Sequence, residues 1–153
     1  MRSHRFVVVA RFTLALLLFA AAGHAASSGP SPELTPTDVV RLQLEAFRAD
    51  DARGAYRFAS PGNRGMIGSP AEFAQLIKRQ YADMLTQTSA RVSLKQRDDD
   101  TAQVLAELQQ VNGQETAYVF FLSRQQEGDC NGCWMTDGVF PLQPANDQPL
   151  YSI

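Results

Sequence analysis

The hydrophobic positions of this chain follow a helical period in the first half and an alternating period in the second. Thr35 is a favourable N-cap, and Pro36 suits the first position of a helix. Apolar residues at helical spacing follow, namely Val40, Leu44 and Phe47. The pattern therefore predicts a first helix that begins after Thr35 and buries these three side chains.

The next segment predicts a second helix and then a loop. Asp50 and Asp51 end the first helix and can cap a shorter one from Ala52 to about Ala59, which the Ser-Pro-Gly sequence 60–62 stops. Residues 61–68 contain three glycines but lack the lysine and the Ser/Thr of a phosphate-binding loop. We therefore expect a turn between helices there.

A third helix is predicted behind Ser69, because Ser-Pro-Ala-Glu at 69–72 is a capping box with proline at the first helical position. One face carries Phe73, Leu76, Ile77, Gln80, Tyr81 and Met84. This spacing predicts an amphipathic helix that ends near Met84 or Leu85.

From residue 90 the period changes to two, which predicts strands. Residues 90–95 alternate apolar and polar side chains, Asp98–Asp100 is a charged turn, and residues 104–108 form a second strand. Asn-Gly at 112–113 is typical of a two-residue hairpin turn. That turn would place Ala106 opposite Val119, and Val104 opposite Phe121.

The last hairpin contains both cysteines of the chain. Residues 118–122 are apolar on both faces, which predicts a central strand covered on both sides. Asn-Gly at 131–132 predicts a second two-residue turn that places Cys130 opposite Cys133, and Arg124 opposite Val139. Gly138 suggests a bulge.

Helices followed by an antiparallel meander predict an α+β fold, with the N-terminal helices packed on a sheet of about four strands.

The chain has 153 residues, which indicates one domain, and a formal charge of −2. It has no sustained basic patch, so no nucleic-acid partner is expected.

The first 25 residues have the layout of a secretory signal peptide. Three arginines precede a short apolar run at 12–22, and Gly23-His24-Ala25 supplies small residues before a cleavage site after Ala25. Cleavage after Ala22 is the alternative. Because the run is shorter than the roughly 20 residues that cross a bilayer, no membrane association is expected after cleavage. We expect a periplasmic or secreted protein, with a flexible linker at 26–34 and a single domain at 35–153.

Cleavage after Ala25 would remove both histidines, His4 and His24. It would leave 11 basic and 16 acidic residues, a formal charge of −5. A Ser-His-Asp or Cys-His catalytic unit, and histidine-ligated zinc, iron or haem, are thereby excluded from the mature chain.

Several segments resemble a bacterial family of domains of unknown function, number four-eight-six-four in that series. They are Ala-Phe-Arg-Ala-Asp-Asp at 46–51, Ala-Tyr-Arg-Phe-Ala-Ser-Pro at 55–61, Gly-Ser-Pro at 68–70 with Phe73 and Tyr81, and Asn-Gly-Cys-Trp-Met-Thr-Asp-Gly-Val at 131–139. The resemblance covers roughly residues 39–142. The chain departs from the family pattern in its Cys-x-x-Cys and in Pro141.

The resemblance implies a cone-shaped α+β fold similar to nuclear transport factor two, with helices against a bent antiparallel sheet and a pocket between them. It carries no catalytic residues over to this chain. Because this fold serves isomerases, dehydratases, transport adaptors and non-catalytic domains, it does not fix the function. Candidate pocket residues are Tyr56, Tyr81, Phe120 and Trp134, with Tyr118 and Phe121 as aromatic neighbours in the core.

Cys130 and Cys133 are the most distinctive chemical feature. A disulfide that staples the hairpin is favoured, since paired cysteines are usual in exported proteins and opposite hairpin positions lie within disulfide range. A redox-active pair and a metal site shared between two chains remain alternatives. The cysteines do not sit at a predicted helix N-terminus, which would lower a thiol pKa.

Carboxylates offer two weaker hypotheses. Asp50 and Asp51, or Asp137 with Tyr56 or Tyr81, could move a proton beside a carbonyl group. The residues 98–100 could attract calcium, but they lack the alternating acids and the distal glutamate of a calcium loop. Helix capping, core packing and a solvated turn explain these residues more simply.

The sequence favours an exported, non-catalytic domain that binds a small apolar ligand or a protein partner, a second copy of the chain included. No cofactor and no metal are expected. The alternatives are a histidine-free isomerase or lyase that uses Asp and Tyr, and a thiol–disulfide component that uses Cys130 and Cys133.

Overall fold

The computed structural model describes residues 29–142, which form five helices followed by four strands. The helices are α1 (Pro36–Arg48), α2 (Ala52–Tyr56), α3 (Pro61–Ile67), α4 (Pro70–Gln80) and α5 (Ala82–Thr86). The strands are β1 (Gln87–Arg97), β2 (Thr101–Gln110), β3 (Glu115–Arg124) and β4 (Trp134–Leu142). They form one antiparallel sheet in the order β1-β2-β3-β4, so the predicted α+β class is confirmed. The predicted signal peptide lies outside the described residues.

Helix α1 begins where the sequence predicted. The hydroxyl of Thr35 accepts the amide hydrogen of Asp38, and the Asp38 carboxylate accepts the amide hydrogen of Thr35, which completes a capping box. Val40, Leu44 and Phe47 are buried, as predicted. Helix α1 packs against both edge strands of the sheet, β1 and β4.

The helices between α1 and α4 correct the sequence prediction. Helix α2 ends at Tyr56 instead of Ala59, because Phe58 and Ser60 form backbone hydrogen bonds with Thr136 of β4. The predicted loop at 61–68 is a helix, α3, whose N-cap is Ser60. Ser60 and Pro61 provide an N-cap and a first helical position like those at Ser69 and Pro70, and they outweigh the two glycines inside α3, while Gly68 ends the helix.

Helix α4 has the predicted capping box at Ser69 and Glu72 but ends at Gln80. Tyr81 has φ −136° and ψ 36°, which breaks the helix before α5 begins at Ala82. The Tyr81 hydroxyl donates a hydrogen bond to the carbonyl oxygen of Val139 across 3.1 Å. This contact fixes the break against β4 and separates the predicted single helix into two.

One face of the sheet packs on the helices. Its buried side chains alternate along the two middle strands: Ala102, Val104, Ala106 and Leu108 on β2, and Tyr118, Phe120 and Leu122 on β3. The opposite face is open, and Phe121 on β3 is 38% exposed there. β3 is a central strand as predicted, but the prediction that both its faces are covered is wrong, because the helices lie on one side only.

The β2–β3 register differs from the prediction by one residue. Ala106 pairs with Tyr118, and Val104 pairs with Phe120. Gly113 has φ 81°, but Asn112 is not in the left-handed region, so the two-residue turn does not form. Instead Gln110 and Gln114 close a three-residue loop, and its extra residue shifts the pairing.

The β3–β4 register was also predicted wrongly. Arg124 pairs with Trp134, not with Val139. The residues from Gln125 to Cys133 form a longer loop, closed by a hydrogen bond of 2.8 Å from the amide of Gln125 to the carbonyl oxygen of Cys133. The predicted bulge is present beside Gly138. Phe121 pairs with Gly138 and Leu122 pairs with Thr136, so Asp137 has no partner on β3.

Candidate functional site

A groove with a volume of about 580 Å³ lies between α3, α4 and β4. We call it the helix groove. Its apolar wall consists of Phe47, Met66, Ile67, Phe73, Leu76, Ile77, Met84 and Val139, and the exposed ring of Phe140 lies at its outer edge. Both the volume and the apolar lining are typical of sites for small molecules.

The groove follows from the sequence of α4 and its neighbours. The capping box fixes the start of α4, so Phe73, Leu76 and Ile77 fall on the side that faces the groove. The Phe73 ring lies 5.7 Å from the Phe47 ring and 5.5 Å from the Tyr56 ring, measured between centroids. These aromatic contacts hold α4 against α1 and α2 and shape one end of the wall.

The floor of the groove is polar and carries no ionisable side chain: it consists of Gln43, Asn63 and Thr136. The Thr136 hydroxyl donates to Oε1 of Gln43 across 2.8 Å. The side-chain amide of Gln43 donates to the carbonyl oxygen of Ala55 across 3.1 Å, and that of Asn63 donates to the carbonyl oxygen of Thr136 across 3.2 Å. Gln43 and Thr136 are buried, so the floor is a fixed set of neutral hydrogen-bonding groups.

Charged side chains lie only at the exposed rim. Glu72 accepts hydrogen bonds from the amide and hydroxyl of Ser69, and the backbone bond is the larger cause that lowers the pKa of Glu72. Asp137 accepts a hydrogen bond of 3.0 Å from the Ser123 hydroxyl. Arg79 is the third charged rim residue. Both rim carboxylates therefore already have polar partners.

Of the four pocket residues predicted from the sequence, the structure places Tyr81 in the groove lining. Phe120 is fully buried in the core. Trp134 lies under the Arg97 guanidinium, whose carbon is 5.2 Å from the ring centroid. Tyr56 packs on Phe73 and donates its hydroxyl to the carbonyl oxygen of Gly68. The structure therefore does not bring these four side chains together around one cavity.

The predicted acid–base pairs, Asp50 with Asp51 and Asp137 with Tyr56 or Tyr81, do not form within residues 29–142. Asp50 and Asp51 are exposed, Asp50 lies 4.0 Å from the Lys78 ammonium group, and Asp51 caps α2 by accepting the amide hydrogen of Gly54. Asp137 is exposed as well, while the hydroxyls of Tyr56 and Tyr81 donate to backbone carbonyls. None of the three carboxylates lies in an apolar surrounding, which a proton-transfer role would need.

An aspartate–tyrosine pair that the sequence analysis missed joins α5 to β3. The Tyr118 hydroxyl lies 2.6 Å and 2.7 Å from the two carboxylate oxygens of Asp83. Burial, followed by the hydrogen bond to Asp83, raises the pKa of Tyr118 above its ordinary value of 10.0. The two residues are 35 positions apart, so no local pattern could have indicated the contact.

Gln43 and Thr136 were not predicted as site residues from the sequence either. A signal was present for Gln43, because a polar residue interrupts the buried face formed by Val39, Val40, Leu44 and Phe47. A polar side chain on a buried stripe must find hydrogen-bond partners, which marks it as more than packing. Thr136 gave no such signal, since its inward direction depends on the bulge at Asp137.

Cys130 and Cys133 are at disulfide distance, with their Cα atoms 5.5 Å apart. They lie in the loop before β4, and the Cys130 sulfur is 3.5 Å from the carbonyl oxygen of Pro30. Neither cysteine lines the helix groove. The pair therefore joins the loop near its contact with residues 29–34, away from the groove.

The aspartates at 98–100 form the turn between β1 and β2. The Asp98 carboxylate accepts hydrogen bonds from the amide and hydroxyl of Thr101 and from the amide of Asp100, and the backbone bond from Thr101 is the main cause that lowers its pKa. Across residues 29–142, no three His, Cys, Asp or Glu side chains are placed so that they could hold a metal ion. None of the helices in that range has the length and hydropathy of a membrane-spanning segment.

Comparison with known proteins identifies the family. No curated protein and no solved structure matches the chain significantly, so the likeness to nuclear transport factor two stays a prediction. A family model described as a domain of unknown function, DUF4864, matches residues 32–148. This match spans the helices, the sheet and the groove between them, and the chain belongs to the DUF4864 family.

Proposed function

We propose that this protein is a non-catalytic binding domain whose helix groove accepts a small, mainly apolar molecule. The observation that carries the proposal is a groove of about 580 Å³ with a mainly apolar wall and a neutral polar floor. Known small-molecule sites have the same composition, an apolar lining with a few fixed polar groups, in cavities of roughly 300–1,000 Å³.

Binding of a neutral fluorescent probe, N-phenyl-1-naphthylamine, tests the proposal. We expect saturable fluorescence enhancement with the purified protein. Leu76→Glu should weaken binding at least tenfold, because it places a carboxylate in the apolar wall. The control is Leu94→Glu, since Leu94 is 47% exposed on β1 and does not line the groove. Unsaturable enhancement, or equal loss in both variants, would contradict the proposal.

We further propose that the domain is exported to the periplasm or beyond. The support is the arginine-rich start, the short apolar run and the small residues before Ala25. Expression of the full chain in a bacterium, followed by mass spectrometry of the periplasmic fraction, tests this. The expected product begins at Ala26, or at Gly23 if the alternative site is used. An uncleaved cytoplasmic product would contradict the proposal.

A separate observation favours self-association as a second candidate function. The open face of the sheet presents Phe121, Phe140 and Leu142, and the Phe121 and Phe140 rings meet edge-to-face with centroids 5.5 Å apart. The same surface on two copies can pair about a two-fold axis. Sedimentation equilibrium should then show a dimer that Phe121→Ser dissociates, whereas a wild-type monomer at high concentration would exclude this candidate.

A further inference from the structure

We propose that the ligand of the helix groove is an uncharged molecule with a hydrocarbon body and one hydroxyl or carbonyl group, which hydrogen-bonds to Gln43. This inference rests on the proposed function and narrows its ligand class. Two features of the groove support it: the hydrogen-bonding capacity left at the floor and the position of the charges around it.

Gln43 has capacity that the protein does not use. Its side-chain NH₂ group carries two hydrogens and its oxygen two lone pairs. Between residues 29 and 142, one hydrogen goes to the carbonyl oxygen of Ala55, and one lone pair receives the Thr136 hydroxyl. One donor and one acceptor position therefore remain on a side chain that is only 2% exposed.

A ligand hydroxyl complements this remaining capacity, since it can both accept the free Gln43 hydrogen and donate to the free lone pair. A ligand carbonyl can only accept the free Gln43 hydrogen. A purely hydrocarbon ligand would exclude water from the floor and leave the Gln43 hydrogen unpaired, which costs free energy.

The charges of the groove argue against an ionised ligand group at the floor. Glu72, Arg79 and Asp137 are exposed side chains at the rim, and the floor residues Gln43, Asn63 and Thr136 are neutral. A carboxylate or an ammonium group placed at the floor would lose its hydration without gaining a countercharge. The floor of the groove therefore favours a ligand group that is polar but uncharged.

Displacement of N-phenyl-1-naphthylamine by three molecules of the same shape tests this inference: naphthalene, 2-naphthol and 2-naphthoate at neutral pH. We expect 2-naphthol to bind at least fivefold more tightly than naphthalene and at least tenfold more tightly than 2-naphthoate. In Gln43→Met, which keeps the length of the side chain, 2-naphthol and naphthalene should bind within about twofold of each other.

The outcomes separate this inference from the proposed function. If the fluorescent probe itself does not bind saturably, the proposed function fails and the inference falls with it. If the probe binds but naphthalene equals 2-naphthol, or 2-naphthoate binds best, only the ligand class is wrong. The inference would also be overturned if the folded Gln43→Met variant bound 2-naphthol more tightly than naphthalene by the same factor as the wild type does. The wild-type ranking decides the question even if that variant does not fold.

Discussion

Thr136 of β4 donates its hydroxyl hydrogen to Oε1 of Gln43 on α1 across 2.8 Å, between two side chains that are almost fully buried. This hydrogen bond joins the helical layer to the sheet at the floor of the helix groove. The side-chain amide of Gln43 in turn donates a second hydrogen bond to the carbonyl oxygen of Ala55. The polar floor is thus part of the structure of the domain as well as its candidate binding surface.

Removing this hydrogen bond should destabilise the domain. Thr136→Val has nearly the same shape but leaves the buried Gln43 oxygen without its donor, which we expect to cost about 1–3 kcal/mol of unfolding free energy. The matched control is Thr116→Val, because Oγ1 of Thr116 is buried without a hydrogen-bond partner within residues 29–142. That variant should be neutral or slightly stabilised in urea unfolding. Equal losses in both variants would show that the Thr136–Gln43 bond does not stabilise the fold.

Tyr118 should make stability depend on alkaline pH. Its pKa is raised in the folded state from the ordinary 10.0, so the folded protein binds the phenolic proton more tightly than the unfolded chain does. The resulting stability is fully present below about pH 10 and is lost as the pH rises through the folded-state pKa. Tyr118→Phe, which loses a hydrogen bond to a carboxylate, should be less stable by about 1.5–3 kcal/mol near pH 8.

The difference between wild type and Tyr118→Phe should shrink above pH 10, as measured by urea unfolding at several pH values. Tyr56→Phe provides the comparison, since the Tyr56 hydroxyl donates to a backbone carbonyl and not to a carboxylate. A wild-type advantage over Tyr118→Phe that stays constant up to about pH 11 would contradict the assigned role of Tyr118.

Gly68 should not tolerate a side chain. It has φ 96°, and an added Cβ atom would clash with the carboxylate of Glu72, the capping residue of α4. We expect Gly68→Ala to lower the unfolding free energy by roughly 1–3 kcal/mol. Gly65→Ala inside α3 is the control, because nothing lies within 4 Å of its added Cβ and alanine favours the helix by about 0.5–1 kcal/mol. Thermal unfolding of the two variants should therefore shift in opposite directions.

The cysteine pair should stabilise the domain without being required for its fold. It closes a loop of only a few residues, so we expect the Cys130→Ser, Cys133→Ser double variant to fold and to lose about 2 kcal/mol at most. Circular dichroism with denaturant titration measures both properties, and the reduced wild type is the control. A double variant that is unfolded in buffer would show that the pair is essential.

Local capping chemistry and hydrophobic periodicity predicted much of this fold. The N-cap at Thr35 and the capping box at Ser69 located two helices, and the alternation at Val104, Ala106 and Leu108 located a strand and its buried face. Both hairpin registers were wrong, because the register depends on loop geometry. One turn residue, Asn112, did not adopt the positive φ that the predicted turn needs.

The candidate site was less predictable, since it depends on contacts between distant segments. Tyr81 lines the groove, but Gln43 and Thr136 meet across 93 positions, and Tyr118 meets Asp83 across 35. Aromatic residues such as Trp134 gave a strong sequence signal, yet this one is buried beside Arg97. A neutral polar residue on a buried face was the informative signal, and Gln43 offered it.

The most direct test of the binding function is to locate a small ligand by intermolecular nuclear Overhauser effects. With 2-naphthol bound to isotope-labelled protein, we expect contacts from ligand protons to the side chains of Phe73, Ile77 and Val139, which line the helix groove. Contacts confined to Phe121 and Leu142 on the open face of the sheet, or the absence of any specific contact at saturating ligand, would contradict it.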